Sequence, residues 1–389
     1  MPRFAALLLV LILSLAGPIT ARADIPPPSV AARAWVLIDV TSGMTIASTL
    51  PDERVEPASL TKLMTAYLTF AALRDKKISL NQTIPVSERA WRAQGSRMFI
   101  DLKKPVTAEE LIHGMIIQSG NDACIALAEA IAGSEETFAQ LMTKEAQRLG
   151  MKNTSFTNSS GLPDPKHYST ARDLGILATS IVRDFPEQYR YYSIREYRYN
   201  NITQQNRNRL LWLDPNVDGM KTGYTEAAGY CLIASAKRGS RRLLSVVVGT
   251  ASESVRATES QKLLNYGFQL WDTVRLYEKS QAVSTIDVWK GSERKLKAGF
   301  NNDFFVTVPK GEGEKVKAEL VSEQPHDRAG VRRPAGGYAA GAARRQAYRR
   351  VSGGGAGEHR GGRVLRAHDR YRQALVQVIP ATDCKRRLR

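Results

Sequence analysis

Residues 57–68 read PASLTKLMTAYL, and this stretch carries the strongest fold signal in the chain. Apolar residues recur here at helical spacing, namely Leu60, Leu63, Met64, Tyr67 and Leu68. That spacing predicts a helix with one buried face. Ser59 begins the predicted helix and Lys62 follows three residues later, so their side chains share a face. The pair is a candidate nucleophile and base.

Two further short motifs complete the candidate site. They are Ser119-Gly120-Asn121, in a tight turn after a predicted helix, and Lys221-Thr222-Gly223, where the sequence turns to β character. A serine hydroxyl is a poor nucleophile until a base removes its proton. A buried lysine serves as that base when desolvation and a second cation lower its pKa, and Lys221 supplies the second cation. We expect Ser119 and Asn121 to relay a proton and to hold Lys62 and a substrate amide.

The third motif also predicts how a substrate lies. The small Gly223 lets a substrate backbone lie against the edge of the chain. An oxyanion hole needs two backbone N–H groups, and those of Ser59 and Tyr224 are the candidates. Each motif alone is common, and a second Ser-x-x-Lys at Ser292 to Lys295 is interpreted as chance. The order of all three motifs, each in a suitable setting, indicates acyl transfer on Ser59.

The surrounding pattern predicts an α/β domain followed by a small β domain. A capping box at Thr107 and Glu110 marks one helix start. Predicted strands cover 34–39, 45–48, 230–235, 243–249, 283–289, 304–308 and 316–321, and predicted helices cover 59–68, 107–117, 122–131, 171–182 and 258–271.

From about residue 34 to residue 324, the chain resembles the low-molecular-mass penicillin-binding proteins that act as D-alanyl-D-alanine carboxypeptidases. The segments that carry the resemblance are Pro57-Ala58-Ser59-Leu60-Thr61-Lys62, Ser119-Gly120-Asn121-Asp122-Ala123, Gly161-Leu162-Pro163 with His167-Tyr168-Ser169-Thr170-Ala171, Asn206-Arg207-Asn208, and Val217-Asp218-Gly219-Met220-Lys221-Thr222-Gly223. The resemblance implies a β-lactamase/transpeptidase-like domain, with an antiparallel sheet and helices. It also implies a serine peptidase that needs no cofactor and no metal.

The resemblance also implies residue roles. Ser59 becomes the acylated nucleophile and Lys62 the general base, while Ser119, Asn121 and Lys221 complete the proton and binding network. Arg256 and Thr222 bind the terminal carboxylate of the substrate, for which a planar guanidinium is well suited. Some family members have histidine where this chain has Tyr224. Only the backbone N–H of that residue is needed, so we expect activity to survive.

The predicted reaction removes the terminal D-alanine from peptidoglycan stem peptides through an acyl-enzyme, which β-lactam antibiotics also form. A D,D-endopeptidase and a β-lactamase remain alternatives within the same superfamily. Class A β-lactamases need a deacylating glutamate, and Glu187 and Glu196 fall in the right interval without a matching context. A non-catalytic peptidoglycan-binding protein is a further alternative, which the retention of both Ser59 and Lys62 disfavours.

The N-terminal residues 1–23 have the features of a secretory signal peptide. Arg3 precedes an apolar run too short for a stable membrane span, and Ala21-Arg22-Ala23 is typical of a cleavage site. The mature chain then begins at Asp24 and works in the periplasm. An uncleaved membrane anchor is the alternative. The predicted division is a catalytic domain at 24–275, a partial β domain at 276–325 and a basic tail at 326–389.

The tail explains most of the net charge of +18. Residues 326–389 hold 15 arginines and one lysine against four acidic residues. Nucleic-acid binding would rest on this segment alone, so it is not predicted. Back-translation of 367–379 with the frame moved by one base permits Met-Ile-Asp-Thr-Val-Arg-Leu-Trp-Phe-Lys, which favours a frameshift. A natural low-complexity tail remains the alternative. In the restored frame an amphipathic helix would lie on the membrane surface; as written, the segment is expected to be disordered.

The cysteines predict neither a metal site nor a patterned set of disulfides. Cys124 and Cys231 lie in apolar runs and are expected to be buried free thiols. His113 and His167 have no cysteine or histidine partner at ligand spacing.

Overall fold

The structure is a computed structural model that describes residues 25–287, 295–320, 349–353 and 376–379. The strands are β1 (Ala34–Asp39), β2 (Met44–Thr49), β3 (Thr83–Ile84), β4 (Val106–Thr107), β5 (Glu196–Tyr199), β6 (Ile202–Gln205), β7 (Val217–Thr225), β8 (Gly229–Arg238), β9 (Arg241–Thr250), β10 (Trp271–Tyr277), β11 (Ala282–Asp287), β12 (Lys295–Phe300), β13 (Phe304–Pro309), β14 (Val316–Leu320), β15 (Arg349–Gly353) and β16 (Val376–Ile379). The helices are α1 (Lys62–Arg74), α2 (Glu88–Trp91), α3 (Ala108–Ile117), α4 (Asn121–Ala132), α5 (Glu135–Leu149), α6 (Ala171–Asp184), α7 (Pro186–Tyr189), α8 (Leu210–Leu213) and α9 (Glu253–Leu270).

A five-stranded antiparallel sheet in the order β2-β1-β9-β8-β7 forms one half of the first domain. Helices α6 and α9 cover its two faces, and one glycine in each helix lies in close contact with β1. A Cβ on Gly175 of α6 would lie 2.5 Å from Ile38, whereas a Cβ on Gly267 of α9 would lie 3.0 Å from Leu37. Successive strand residues point to opposite faces, so the two helices lie on opposite sides of β1.

The other half of the domain is helical and is built around α1, α3, α4 and α5. The capping box predicted at the start of α3 is present: Glu110 N–H donates to Thr107 Oγ1 at 3.2 Å, and Thr107 N–H donates to Glu110 Oε2 at 2.8 Å. Helix α4 is buried over most of its first two turns, as its apolar sequence predicts. Strand β7 is the sheet edge nearest this half, because its Gly223 lies against the turn that precedes α1.

Several predicted boundaries differ from the structure. Ser59 lies in a 3₁₀ turn (Ala58–Thr61), and the α-helix begins only at Lys62. The third motif was expected to precede the predicted strand at 230–235, but it lies inside a strand of its own, β7. Trp271 was predicted to end a helix, but it begins β10. Helix α5 and the β5–β6 hairpin were not predicted.

The small β domain follows α9 without an intervening loop. Strand β10 pairs with β13, β12 lies between β11 and β16, and β14 pairs with β15. At the junction Asp39 accepts hydrogen bonds from Arg241 Nε at 3.0 Å and from the Thr273 hydroxyl. The predicted fold class, an antiparallel sheet with helices followed by a small β domain, is confirmed. The predicted signal peptide and most of the tail lie outside the described residues; the parts of the tail that are described form β15 and β16.

Candidate active site

Two contacts fix the turn that carries Ser59, one at Ala58 and one at Thr61. Gly161, at φ +87°, lies so close to Ala58 that a Cβ there would be 1.8 Å from the Ala58 carbonyl oxygen. His167 Nδ1 accepts from Thr157 N–H at 3.1 Å, so its Nε2–H donates to Thr61 Oγ1 at 2.8 Å. Burial lowers the pKa of His167 to about 4, so the ring stays neutral in this role at pH 7.

Lys62 contacts the hydroxyl that the sequence marks as the nucleophile. Its Nζ lies 2.9 Å from Ser59 Oγ and 2.6 Å from the carbonyl oxygen of Ser160. The ammonium end is enclosed, with 1% of the residue exposed, while Ser59 remains partly open to solvent. The i, i+3 spacing therefore places Lys62 Nζ and Ser59 Oγ in hydrogen-bond contact.

Burial makes Lys62 unusually easy to deprotonate. Loss of solvation lowers its pKa from 10.5 to about 8; Arg207 adds to the decrease, while Cys124 and Asp122 oppose it. An amine with a pKa this close to neutrality is partly uncharged at pH 7 and can accept the serine proton.

The second and third motifs meet on the other side of the site. Lys221 Nζ donates to Ser119 Oγ at 2.9 Å and to its neighbour's carbonyl, that of Thr222, at 3.1 Å. Ser119 adopts φ +60°, a left-handed conformation that is rare for serine. The pKa of Lys221 is well below its ordinary value, first because of burial and then because of Lys62 and Arg207. Two buried amines thus flank two hydroxyls, an arrangement suited to proton relay.

Asn121 and Asp122 tie the second motif to the segment before α3. Asn121 Nδ2 donates to the Gln94 carbonyl at 2.6 Å, and no hydrogen bond joins it to Lys62 within the described residues. The buried Asp122 carboxylate accepts from three consecutive N–H groups, those of Met98, Phe99 and Ile100, at 2.8–3.2 Å. Residues 94–100 are therefore held beside the site by the motif itself.

Strand β7 supplies the remaining predicted residues. Thr222 and Gly223 are buried, and a Cβ on Gly223 would lie 3.2 Å from the Pro57 carbonyl oxygen. Tyr224 is 51% exposed, and its ring lies 4.3 Å from that of Tyr230. Arg256 of α9 reaches the strand and donates to the Gly223 carbonyl at 3.3 Å. All nine predicted site residues therefore lie on elements that meet at this edge.

Gly161 and Leu162 belong to a segment that carries the family resemblance, but the sequence did not predict that the loop at 158–162 provides the Ser160 carbonyl to the site. The Asn158 side-chain oxygen holds the loop by accepting from Ser160, Gly161 and Leu162 N–H at 2.7–3.2 Å. An Asn that precedes a Ser-Ser-Gly run is a turn signal, but the signal does not reveal which lysine the turn contacts.

Two further features of the described residues concern metals and the membrane. No cluster of three or more metal-ligating side chains is found in that part of the chain. None of its helices is both long enough and apolar enough to cross a membrane. Cys124 and Cys231 are buried free thiols, as predicted.

In this site a serine contacts a desolvated lysine, and a second Ser–Lys pair, which includes Lys221 of the edge strand, faces them. This arrangement defines an active-site-serine acyltransferase. Residues 20–252 match the family model described as D-alanyl-D-alanine carboxypeptidase, and residues 271–332 match the penicillin-binding protein 5 C-terminal domain. The chain belongs to the D-alanyl-D-alanine carboxypeptidase family, as the sequence predicted. It is a serine carboxypeptidase of the penicillin-binding protein type.

Curated relatives and solved structures agree with this assignment. The D-alanyl-D-alanine carboxypeptidase DacC of Escherichia coli K12 is 43% identical over 312 residues, 78% of each chain. DacA of Haemophilus influenzae is 44% identical over 299 residues, 76% of each. Penicillin binding protein 5 from Haemophilus influenzae has a TM-score of 0.74 at 43% identity, covering 77% of this chain and 88% of that one. Penicillin-binding protein D2 from Listeria monocytogenes, in its ampicillin-bound form, has a TM-score of 0.58 at 29% identity, covering 63% and 100%.

Proposed function

We propose that this carboxypeptidase acts on peptidoglycan stem peptides through an ester on Ser59, with Lys62 as general base. The observation that carries the proposal is the 2.9 Å contact between Lys62 Nζ and Ser59 Oγ, in a setting that lowers the lysine pKa to about 8. The other site residues serve proton transfer, substrate binding and oxyanion stabilisation.

In acylation, neutral Lys62 takes the Ser59 proton as Oγ bonds to the carbonyl carbon of the penultimate D-alanine. The N–H groups of Ser59 and Tyr224 stabilise the oxyanion. The C–N bond then breaks, and the departing nitrogen takes a proton that the Ser119–Lys221 pair relays from Lys62. D-alanine leaves, and Thr222 and Arg256 release its carboxylate.

In deacylation, water attacks the ester carbonyl and gives its proton to Lys62. The ester C–O bond breaks, and Ser59 Oγ regains a proton from the same amine. Asn121 holds the amide of the acyl chain during both steps. Each turnover therefore returns Ser59 and Lys62 to their starting states.

β-Lactams are proposed to acylate Ser59 in the same way, and the ampicillin-bound relative from Listeria monocytogenes supports this. The class A β-lactamase alternative is disfavoured because Glu187 and Glu196 are both exposed, on α7 and β5, rather than beside Ser59. Cleavage of cross-links by endopeptidase activity involves the same bond type. An assay on cross-linked dimers separates it from carboxypeptidase activity.

The test is covalent labelling with a fluorescent penicillin, comparing wild type with Ser59→Ala. Mass spectrometry should place the adduct on the peptide containing Ser59, and D-alanine release from a pentapeptide should depend on the same residue. An adduct that persists in Ser59→Ala would refute the assignment. Circular dichroism of the variant shows whether the fold is retained.

We also propose a cellular location, a domain division and an origin for the C-terminal tail. Residues 1–23 direct the chain to the periplasm, where it serves cell-wall synthesis and cell shape; N-terminal sequencing of the mature protein tests the cleavage after Ala23. Residues 24–275 and 276–325 form the two domains, and 326–389 is a tail in a shifted frame. Family matches at 20–252 and 271–332 support a two-part division that begins its second part a few residues earlier. With its natural end restored, the protein lies peripherally on the outer face of the cytoplasmic membrane.

A further inference from the structure

Glu135 is a buried carboxylate that takes no part in the mechanism proposed above. It is the first residue of α5 and is 5% exposed. Its Oε1 accepts from Ser159 N–H at 3.0 Å and from the Ser159 hydroxyl at 2.6 Å. Its Oε2 accepts from Arg89 of α2 at 2.7 Å. These three contacts offset the cost of burying the carboxylate.

Ser159 is held on its other side by the helix that carries the general base. The Thr65 hydroxyl donates to the Ser159 carbonyl at 2.6 Å, and Thr65 lies three residues after Lys62 on α1. Ser159 itself is fully buried. Glu135 and Thr65 therefore fix this residue between α5 and α1.

The residue after Ser159 carries the carbonyl that contacts Lys62. The Ser160 oxygen accepts from Lys62 Nζ at 2.6 Å, and the same amine lies 2.9 Å from the hydroxyl of the nucleophile. The N–H of the same peptide unit donates to Asn158 Oδ1 at 2.7 Å. Asn158 thus fixes this peptide unit from within the loop, whereas Glu135 anchors the loop to α5.

The contacts of Glu135 indicate an effect on position rather than on charge. Besides desolvation, the groups that perturb the pKa of Lys62 are Cys124, Arg207 and Asp122, and Glu135 is not among them. A general base must lie within hydrogen-bond reach of the proton that it removes. A residue that acts through the loop carbonyl should therefore change the rate of acylation and not the binding of the β-lactam.

We propose that Glu135 is a positioning residue for acylation. It anchors Ser159, and through the carbonyl of the next residue it holds the Lys62 amine against the nucleophile. The inference rests on the proposed function, in which Lys62 is the general base.

The neighbouring residue on α5 offers a matched control. Glu136 binds the same Arg89 at 2.6 Å, but its side chain is 64% exposed. Within the described residues it makes no hydrogen bond to the loop at 158–162. Two adjacent glutamates thus share one arginine, and Glu135 is the one that contacts the loop.

The experiment measures acylation by a fluorescent penicillin at increasing concentrations, which separates the dissociation constant Ks from the acylation rate constant k2. Glu135→Ala should lower k2 by about 10²-fold, the cost of a misplacement by about 1 Å, and leave Ks unchanged. Glu135→Gln should recover most of k2, because its amide oxygen still accepts from Ser159. Glu136→Ala should keep the wild-type k2 and Ks.

Ser159→Ala tests the same link with a smaller change and decides the matter if Glu135→Ala does not fold. It removes the hydroxyl donor and keeps the N–H donor, so k2 should decrease at unchanged Ks. When both single variants fold, the double variant should lose less than the product of the two losses, as expected for residues in contact.

A wild-type k2 in Glu135→Ala or in Ser159→Ala would overturn the positioning role. Equal losses in Glu135→Gln and Glu135→Ala, equal losses in Glu136→Ala and Glu135→Ala, or a loss in Ks instead of k2 would overturn it as well. All of these results leave the proposed function intact as long as penicillin labels Ser59 of the wild type. Absence of that labelling would instead refute the proposed function.

Discussion

Replacing Lys62 by arginine keeps a buried cation but removes a base that can lose its proton near neutral pH. With a pKa of about 8, wild-type Lys62 is about 10% uncharged at pH 7, against about 0.03% for an ordinary lysine. Arginine stays protonated throughout the accessible range. Loss of a general base typically lowers a rate by about 10²–10⁴-fold, so we expect Lys62→Arg to acylate that much more slowly.

The assay is stopped-flow or gel-based acylation by a fluorescent penicillin between pH 5 and pH 10. The wild-type rate should increase about tenfold per pH unit below the pKa and level off near pH 8, the value expected for Lys62. Lys144→Arg is the control, because Lys144 is exposed on α5. A flat wild-type profile, or a Lys62→Arg rate within a few-fold of wild type with the fold intact, would refute the role of Lys62.

The same burial predicts a change in stability. A pKa lowered from 10.5 to about 8 corresponds to about 3 kcal/mol. Below pH 8 both the folded and the unfolded state hold the Lys62 proton, and burial of the charged amine lowers the free energy of unfolding by that amount. Between pH 8 and 10.5 only the unfolded state still binds it, so stability increases with pH. Urea unfolding should show wild type gaining about 3 kcal/mol relative to Lys62→Met between pH 7 and pH 11, and a constant difference would contradict the shift.

Three further predictions concern other parts of the chain. Arg256→Ala should reduce D-alanine release from peptides more than it reduces penicillin acylation, and equal losses would contradict a carboxylate-binding role. Gly161→Ala places a Cβ 1.8 Å from the Ala58 carbonyl oxygen, so the acylation rate and Tm should both decrease. Gly133→Ala is the control, because Gly133 also has a positive φ but nothing lies within 4 Å of its Cβ position. That variant should show only backbone strain of about 1 kcal/mol in thermal unfolding. Restoring the frame before residues 326–389 should give salt-resistant membrane association in flotation assays; a frame-restored protein that remains in the soluble fraction would sink that proposal.

The parts of the fold that follow from local pattern were predictable. The apolar run of β1 and the Thr107–Glu110 capping box depend on neighbouring residues, and the structure has both. Helix α5 carried readable signals as well, with Ser134 as N-cap and Gly150 at its C-terminal end. Its buried apolar residues Phe138 and Met142 are four apart, which is the spacing of one helix face.

The parts of the site that depend on distant backbone groups were not predictable. The Ser160 carbonyl meets Lys62 across 98 residues of chain, and no side-chain identity encodes that contact. Asn121 donates to the Gln94 carbonyl across 27 residues, and this contact forms only when α2, which precedes Gln94, packs against α4. The motifs specified which side chains meet. Their hydrogen-bond partners required the folded chain.

The candidate site is assembled from both halves of the first domain. Ser59, Lys62 and Ser119 come from the helical half, and Lys221 comes from the edge strand of the sheet, joined to Ser119 by a single 2.9 Å hydrogen bond. Activity consequently reports on the contact between the halves rather than on either half alone. A slight separation of the two halves would abolish activity while the helices and strands persist, as expected for a local opening of low free energy. In a denaturant titration, penicillin acylation should disappear before the far-ultraviolet circular dichroism changes.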